Sequence, residues 1–132
     1  MQKNIQATIF LMVTLVASAA LAASAGNQGT WRSRVPEKER ARQNPLANDP
    51  TAVAAGGKLF RQKCAKCHGA QGEGAGEHPP VNSERVRAAS PGELQWLLNN
   101  GSLKHGMPSW SRLPEPQRWQ IVAYLKMMAG SR

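Results

Sequence analysis

The stretch CAKCHG, residues 64–69, contains the only two cysteines of the 132-residue chain, and a histidine directly follows the second of them. Two cysteines at this spacing are typical of three kinds of site: a redox-active disulfide, half of a zinc site and a covalent haem attachment. The residues around the motif have to decide among these.

The first two kinds of site fit the surrounding sequence poorly. A thioredoxin-like disulfide is expected at the start of a helix that follows a strand, whereas this motif follows a predicted helix and has no convincing strand near it. A closed zinc site needs four ligands. Cys64, Cys67 and His68 supply three, and two of these are adjacent in sequence.

A covalent haem accounts for the spacing better. In a helical turn, Cys64 and Cys67 lie on one side, where each thiol can form a thioether to a vinyl group of the same porphyrin. His68 lies on that side too, so its imidazole can reach the iron. C-x-x-C-H is the attachment signature of c-type haem. The motif therefore favours one covalently bound haem c and its iron, with His68 as proximal ligand.

The other axial ligand is sought among methionines and histidines. Met127 and Met128 fall in a predicted helix, where methionine usually fills the core. Met107 lies in a loop between Gly106 and Pro108, which suits a thioether offered to the iron from a rigid turn. His78 and His105 are competing donors, and the bracketing glycine and proline favour Met107 as the distal ligand.

The first residues predict export. Residues 1–22 carry a single charge, Lys3, followed by an apolar run and the small-residue pattern Ala20-Leu21-Ala22. This is typical of a cleaved signal peptide, in preference to an uncleaved N-terminal membrane anchor, and predicts a periplasmic protein. Removing one lysine and no acid changes the formal charge from +9 to +8. Because an exported protein without a matching fold signature is a poor candidate for nucleic-acid binding, the basic charge favours an acidic protein surface or an anionic membrane face.

The remaining chain divides into an arm and one domain. Residues 23–48 are polar, contain two prolines and lack an apolar period, so they predict a flexible arm in which Trp31 alone could dock. Residues 49–132 predict one domain with three helices. The first helix begins at Asp49 and Pro50, and the second begins at Ser90, Pro91 and Glu93 and ends at Gly101. The third helix has an apolar stripe formed by Ile121, Tyr124, Leu125 and Met128.

Three helices joined by long loops, with no convincing strand, indicate an all-α fold. A domain of this size is close to the lower limit for a single hydrophobic core. We therefore expect a bound group to fill its centre.

At this point the sequence resembles the class I c-type cytochromes, which are small periplasmic proteins with one His/Met-ligated haem. The resemblance covers about residues 49–129 and is carried by these segments: GGKLF at 56–60, CAKCHG at 64–69, the Pro-Pro pair at 79–80, GMPSW at 106–110 and IVAYLK at 121–126. It implies the cytochrome c fold, with three or more helices wrapped around the haem.

The resemblance also implies residue roles. Cys64 and Cys67 would attach the haem, with His68 and Met107 on the iron. Gly56 would meet Tyr124 where the first and last helices cross, and the carbonyl group of Pro79 or Pro80 would orient the imidazole of His68. Trp96 or Trp110 could reach a haem propionate, although core packing is the expected role of both.

The predicted function is one-electron transport, without a catalytic residue or a small-molecule substrate. The resemblance implies redox partners of two kinds: a dehydrogenase or respiratory complex that donates electrons, and an oxidase or other acceptor. The chain could itself be the cytochrome subunit of a dehydrogenase. Lys63, Lys66 and Lys104 could ring the haem edge and attract an acidic docking surface. The alternative is a haem-based gas sensor or peroxidase-like enzyme with a labile distal ligand, in which His105 would act as acid and base.

Overall fold

Residues 31–131 are described by a computed structural model, and their regular structure is helical. The helices are α1 Glu37–Arg40, α2 Pro50–Lys63, α3 Ala65–His68, α4 Glu84–Ala88, α5 Pro91–Asn100 and α6 Glu115–Gly130, with 3-10 turns at Arg32–Arg34 and Leu103–His105. Within the described range the only β-pairing consists of two isolated bridges, Ala75 with His78 and Ser102 with Met107. No helix between residues 31 and 131 is long and apolar enough to span a bilayer. The predicted signal peptide, residues 1–22, and residues 23–30 of the predicted arm lie outside the described residues.

Helix α2 begins where the sequence predicts. The carboxylate of Asp49 accepts hydrogen bonds from the backbone N–H groups of Thr51 and Ala52, at 2.8 and 3.2 Å, and Pro50 occupies the first helical position. The Asp49 carboxylate satisfies two donors that have no partner inside the helix, and Pro50 removes a further one because proline has no N–H. The helix ends at Lys63, so Cys64 directly follows a helix whose N-terminus is capped.

Helices α2 and α6 cross in close contact. A Cβ placed on Gly56 would lie 2.0 Å from the carbonyl oxygen of Gln120, so only glycine allows this approach. The ring of Tyr124 lies over the next residue, Gly57, and packs at 5.5 Å from the ring of Phe60. The expected contact between a glycine and Tyr124 is therefore made by Gly57, whereas Gly56 meets the backbone of α6.

Helix α5 is fixed at both ends by the residues that predict it. Ser90 and Glu93 form a capping box, in which each side chain accepts from the other residue's backbone N–H. At the other end Gly101 adopts φ of 69°, and a Cβ there would lie 2.6 Å from the carbonyl carbon of Pro108. The close approach brings the chain after Met107 back against the end of α5.

The hydrophobic core is built from α2, α4, α5 and α6. Its buried members are Phe60, Val86, Ala89, Leu94, Leu98, Trp119, Ile121, Val122, Leu125 and Ala129. Short helix α4 contributes Val86 and was not predicted, because one buried residue in five gives no period to detect. The side chain of Lys126 donates to carbonyl groups at the end of this helix, including those of Arg87 at 2.5 Å and Ala89 at 2.9 Å.

Residues 31–48 differ from the predicted flexible arm, since they contain α1 and pack against α5 and α6. Arg32 and Arg40 both bind the carboxylate of Glu93, at 2.9 Å, and the Glu93 side chain is only 1% exposed. The amide of Asn44 donates to the carbonyl group of Trp119 at 2.9 Å. Charged and amide groups hold this segment, and such contacts leave no apolar period in the sequence.

Candidate haem site

The attachment motif forms one continuous helical turn at the end of α2. The backbone N–H groups of Cys67 and His68 both donate to the carbonyl group of Cys64, at 3.0 and 2.9 Å. This turn places Cys64, Cys67 and His68 on one side, as the spacing predicts. The two thiols are not joined by a disulfide.

The two cysteines differ in their surroundings. Cys64 is half-buried against the hydrophobic core, whereas Cys67 is exposed. Burial, and secondly the neighbouring Cys67, raises the pKa of the Cys64 thiol to about 11. The surroundings of Cys64 therefore do not favour the thiolate that a catalytic cysteine needs.

The imidazole of His68 is oriented by the loop that follows it. Its Nδ1 lies 2.9 Å from the carbonyl oxygen of Pro79, and the carbonyl group of Pro80 instead accepts from the hydroxyl of Ser83. Since a carbonyl oxygen only accepts, Nδ1 carries the proton and Nε2 keeps a lone pair for a metal. His78 lies edge-on to His68, with the ring centroids 6.2 Å apart.

Met107 is presented by a tight loop. The backbone groups of Ser102 and Met107 pair in both directions, at 2.8 and 3.2 Å, and Gly106 adopts a left-handed conformation with φ of 75°. Met107 is half-buried against the hydrophobic core. His105, the competing donor in this loop, is exposed and its Nδ1 lies 2.9 Å from the hydroxyl of Ser102.

The chain after Met107 is anchored to the end of α5. The hydroxyl of Ser109 donates to the carbonyl group of Asn99 at 2.6 Å, and the N–H of Trp110 donates to that of Leu98 at 2.8 Å. Trp110 is half-buried against the core, and Trp96 is half-buried on α5.

These residues fit a covalent haem. Cys64 and Met107 are 43 positions apart in the sequence, yet both pack half-buried against one apolar cluster. The donor set combines two free thiols, an imidazole with an available Nε2, and a thioether. A thiol pair and an imidazole within one helical turn, with a thioether on the apolar cluster that Cys64 contacts, are groups that can hold a haem c.

Exposed basic residues lie in and beside the motif, and basic and apolar residues are exposed in the turn before Met107. Lys63, Lys66 and Lys104 are all exposed, as predicted. Leu103, in the turn before Met107, is 77% exposed. Sequence reasoning missed Leu103 because a single leucine in a loop carries no sign of its exposure.

Sequence reasoning also missed Arg118. Its guanidinium group is mostly buried and donates to three carbonyl groups of the loop between Met107 and α6. A basic residue near the N-terminus of a helix is unfavourable because it faces the positive end of the helix dipole. The position of Arg118 in the sequence could therefore have indicated a special role.

Comparisons with known proteins identify the family of the chain. A family model described as cytochrome c oxidase, cbb3-type, subunit III, matches residues 51–125. The cbb3-type cytochrome c oxidase subunit CcoP of Rubrivivax gelatinosus is 28% identical over 88 residues, which are 65% of this chain and 29% of the relative. The chain thus spans less than a third of the length of that protein.

A solved structure shares the fold. The crystal structure of cytochrome cL from the marine methylotroph Methylophaga aminisulfidivorans superposes with a TM-score of 0.57, at 24% identity, over 64% of this chain and 58% of that one. The family match and this structure confirm the predicted all-α cytochrome c fold, and the family match confirms the covalently bound haem c.

Proposed function

Because the chain belongs to the cbb3-type cytochrome c oxidase subunit III family and is a class I c-type cytochrome that transfers electrons, we propose the following roles for its residues. Cys64 and Cys67 attach the haem through thioethers. His68 and Met107 would hold its iron. No residue of the chain acts as a catalytic group, and the protein exchanges one electron at a time with other proteins.

The contact between His68 and Pro79 is the observation that carries this proposal. A hydrogen bond of 2.9 Å fixes the tautomer and the direction of the imidazole. Because Nδ1 is held by the carbonyl group, Nε2 is the atom left for the iron. The same hydrogen bond holds the ring in one orientation, which suits it as a ligand.

The environment of Met107 supports its role as distal ligand in preference to His105. Met107 is half-buried on the cluster that Cys64 contacts, whereas the imidazole of His105 is exposed and bound to Ser102. When bound, the haem supplies a reversible ferrous–ferric couple. A thioether ligand favours the ferrous state, and the apolar core disfavours the additional charge of the ferric state.

We further propose where the electrons come from and go to. The donor is a dehydrogenase or respiratory complex, and the acceptor is an oxidase or another redox protein, with the chain acting as a free carrier or as the cytochrome subunit of a larger assembly. Lys63, Lys66 and Lys104 would face an acidic patch on such a partner. A signal peptide over residues 1–22 would export the chain to the periplasm, in preference to an uncleaved anchor.

Two sets of variants test the residue roles. Cys64→Ser and Cys67→Ser should each leave one thioether, and the double variant should lose all haem staining on a denaturing gel. Met107→Ala should open the iron to carbon monoxide, whereas the matched His105→Ala should leave the spectrum unchanged. Prompt carbon monoxide binding in His105→Ala, with Met107→Ala still unreactive, would reverse the assignment of the distal ligand.

A further inference from the structure

The loop from Met107 to α6 ends in a cluster of carbonyl groups around one cation. Nη1 of Arg118 lies 3.5 Å from the carbonyl oxygen of Trp110 and 3.3 Å from that of Ser111, and it makes its closest hydrogen bond to that of Leu113. Arg118 is 8% exposed. A mostly buried guanidinium group is therefore committed to the backbone of this loop.

The position of Arg118 in its own helix does not account for its presence. Arg118 is the fourth residue of α6, where the positive end of the helix dipole disfavours a cation. Within residues 31–131 its side chain donates to these three carbonyl groups and to no carboxylate. Its charge does act on Glu115, whose pKa is lowered first by hydrogen bonds from Arg42 and Trp119 and to a smaller degree by the charges of Arg42 and Arg118. The hydrogen bonds from Arg118 to the loop offset the cost of burying its guanidinium group.

The attached segment is short and directly continuous with the proposed ligand. Trp110 lies three residues after Met107, and the N–H of Trp110 is bound to α5 while its carbonyl group faces Arg118. The loop is thus held to α5 on one side and to α6 on the other. Releasing Arg118 would leave the hydrogen bonds to α5 and the backbone pairing of Met107 with Ser102 to hold the loop.

We propose that Arg118 is a positioning residue for Met107, holding the distal loop so that the thioether stays directed at the iron. This inference rests on the proposed ligation by Met107. A neutral thioether is a weak ligand, so its retention depends on a loop that is already ordered. Without the guanidinium group, the loop would open more often and an external ligand would reach the iron sooner.

A matched control separates positioning from general stability. Lys126, also on α6, is a cation that caps backbone carbonyl groups, but those groups belong to Arg87, Ala89 and Val86 at the end of α4. Lys126→Met should lower the thermal stability of the holoprotein because it also removes hydrogen bonds from a cation to backbone carbonyl groups. It should not affect the loop that contains Met107.

The experiment mixes reduced holoprotein with carbon monoxide and measures the rate of binding. We expect Arg118→Met to bind about tenfold faster than the wild type, since the hydrogen bonds of a charged donor are worth that factor or more. Arg118→Lys should fall between them, and Lys126→Met should match the wild type. If Arg118→Met does not accumulate, Arg118→Lys decides by the same rate.

Three results would overturn the inference. Wild-type rates in Arg118→Met, or in Arg118→Lys where it alone accumulates, would show that the guanidinium group does not hold the ligand. If Lys126→Met bound carbon monoxide as much faster as Arg118→Met, the faster binding would be explained by a general loss of stability. Immediate binding by the wild type would contradict ligation by Met107 itself, and so would be recognised as a failure of the proposed function.

Discussion

Gly56 and Gln120 are in backbone contact where α2 crosses α6: a Cβ on Gly56 would lie 2.0 Å from the carbonyl oxygen of Gln120 and 2.5 Å from its carbonyl carbon. The contact brings the helix that leads into the haem motif against the helix that forms much of the core. Because both of these Gln120 atoms belong to the backbone, no side-chain movement could make room for a larger residue at position 56.

Gly56→Ala should therefore destabilise the holoprotein by about 3 kcal/mol, the upper range for overpacking. Denaturant unfolding gives the free energy. Gly130→Ala is the control, because no atom lies within 4 Å of a Cβ there, and it should change stability by less than about 1 kcal/mol. Equal stability of the two variants would show that the helices do not cross as described.

Glu93 should make stability depend on acid. Burial, the largest single influence, acts to raise its pKa, but the hydrogen bonds from Arg32 and from the Ser90 N–H, together with the charges of Arg32 and Arg40, outweigh burial and lower the pKa below its ordinary 4.5. A lowered pKa contributes stability above pH 4.5, and this contribution is lost as the pH falls through the folded-state value.

Glu93→Gln should cost about 2 kcal/mol at neutral pH, since two arginines lose a buried partner. Its unfolding free energy should also fall less steeply than that of the wild type below pH 4.5. Glu84→Gln, which breaks an exposed pair with Arg87, should have almost no effect at neutral pH. An unchanged acid slope in Glu93→Gln would contradict the role of the Glu93 ion pairs.

Asn44 tests whether the arm is an integral part of the domain. Its buried amide bonds the carbonyl group of Trp119, and its Oδ1 accepts from the N–H of Leu46. Asn44→Ala should cost about 1.5 kcal/mol and should speed tryptic cleavage at Arg40 and Arg42. The neighbouring Gln43 is exposed, so Gln43→Ala should leave both measurements unchanged. Fast cleavage in the wild type would mean that the arm is not docked in solution.

The exposed lysines should control how fast charged reagents react. Lys66 lies between the two cysteines, and Lys38 lies on α1. At low ionic strength Lys66→Gln should slow oxidation by hexacyanoferrate(III), an anion, by about twofold, as one lost charge at short range predicts. Oxidation by the cation tris(phenanthroline)cobalt(III) should quicken. If Lys38→Gln has an equal effect on both reagents, net charge alone is responsible.

The sequence predicts those parts of the fold that depend on local chemistry. The N-cap at Asp49 and the capping box of Ser90 and Glu93 involve residues two or three positions apart, so their spacing reveals them. The turn of Cys64, Cys67 and His68 is local in the same way. The fold class follows because three such helices without a strand permit few arrangements.

Contacts between distant residues could not be predicted in this way. The same Glu93 that closes the capping box also binds Arg32 and Arg40, more than fifty positions away, and no periodic pattern records that attachment. The placement of Arg118 under the loop of Met107 likewise depends on how α6 packs. For the same reason the choice between Pro79 and Pro80 as partner of His68 required the structure.

The absorption spectrum of the reduced, exported wild-type protein, recorded with and without carbon monoxide, tests the central claim most directly. If His68 and Met107 both bind the iron, the spectrum should be that of a low-spin c-type haem, and it should not change promptly when the gas is added. A prompt change would show an open or labile sixth position and contradict the electron-carrier account in favour of a sensor or peroxidase.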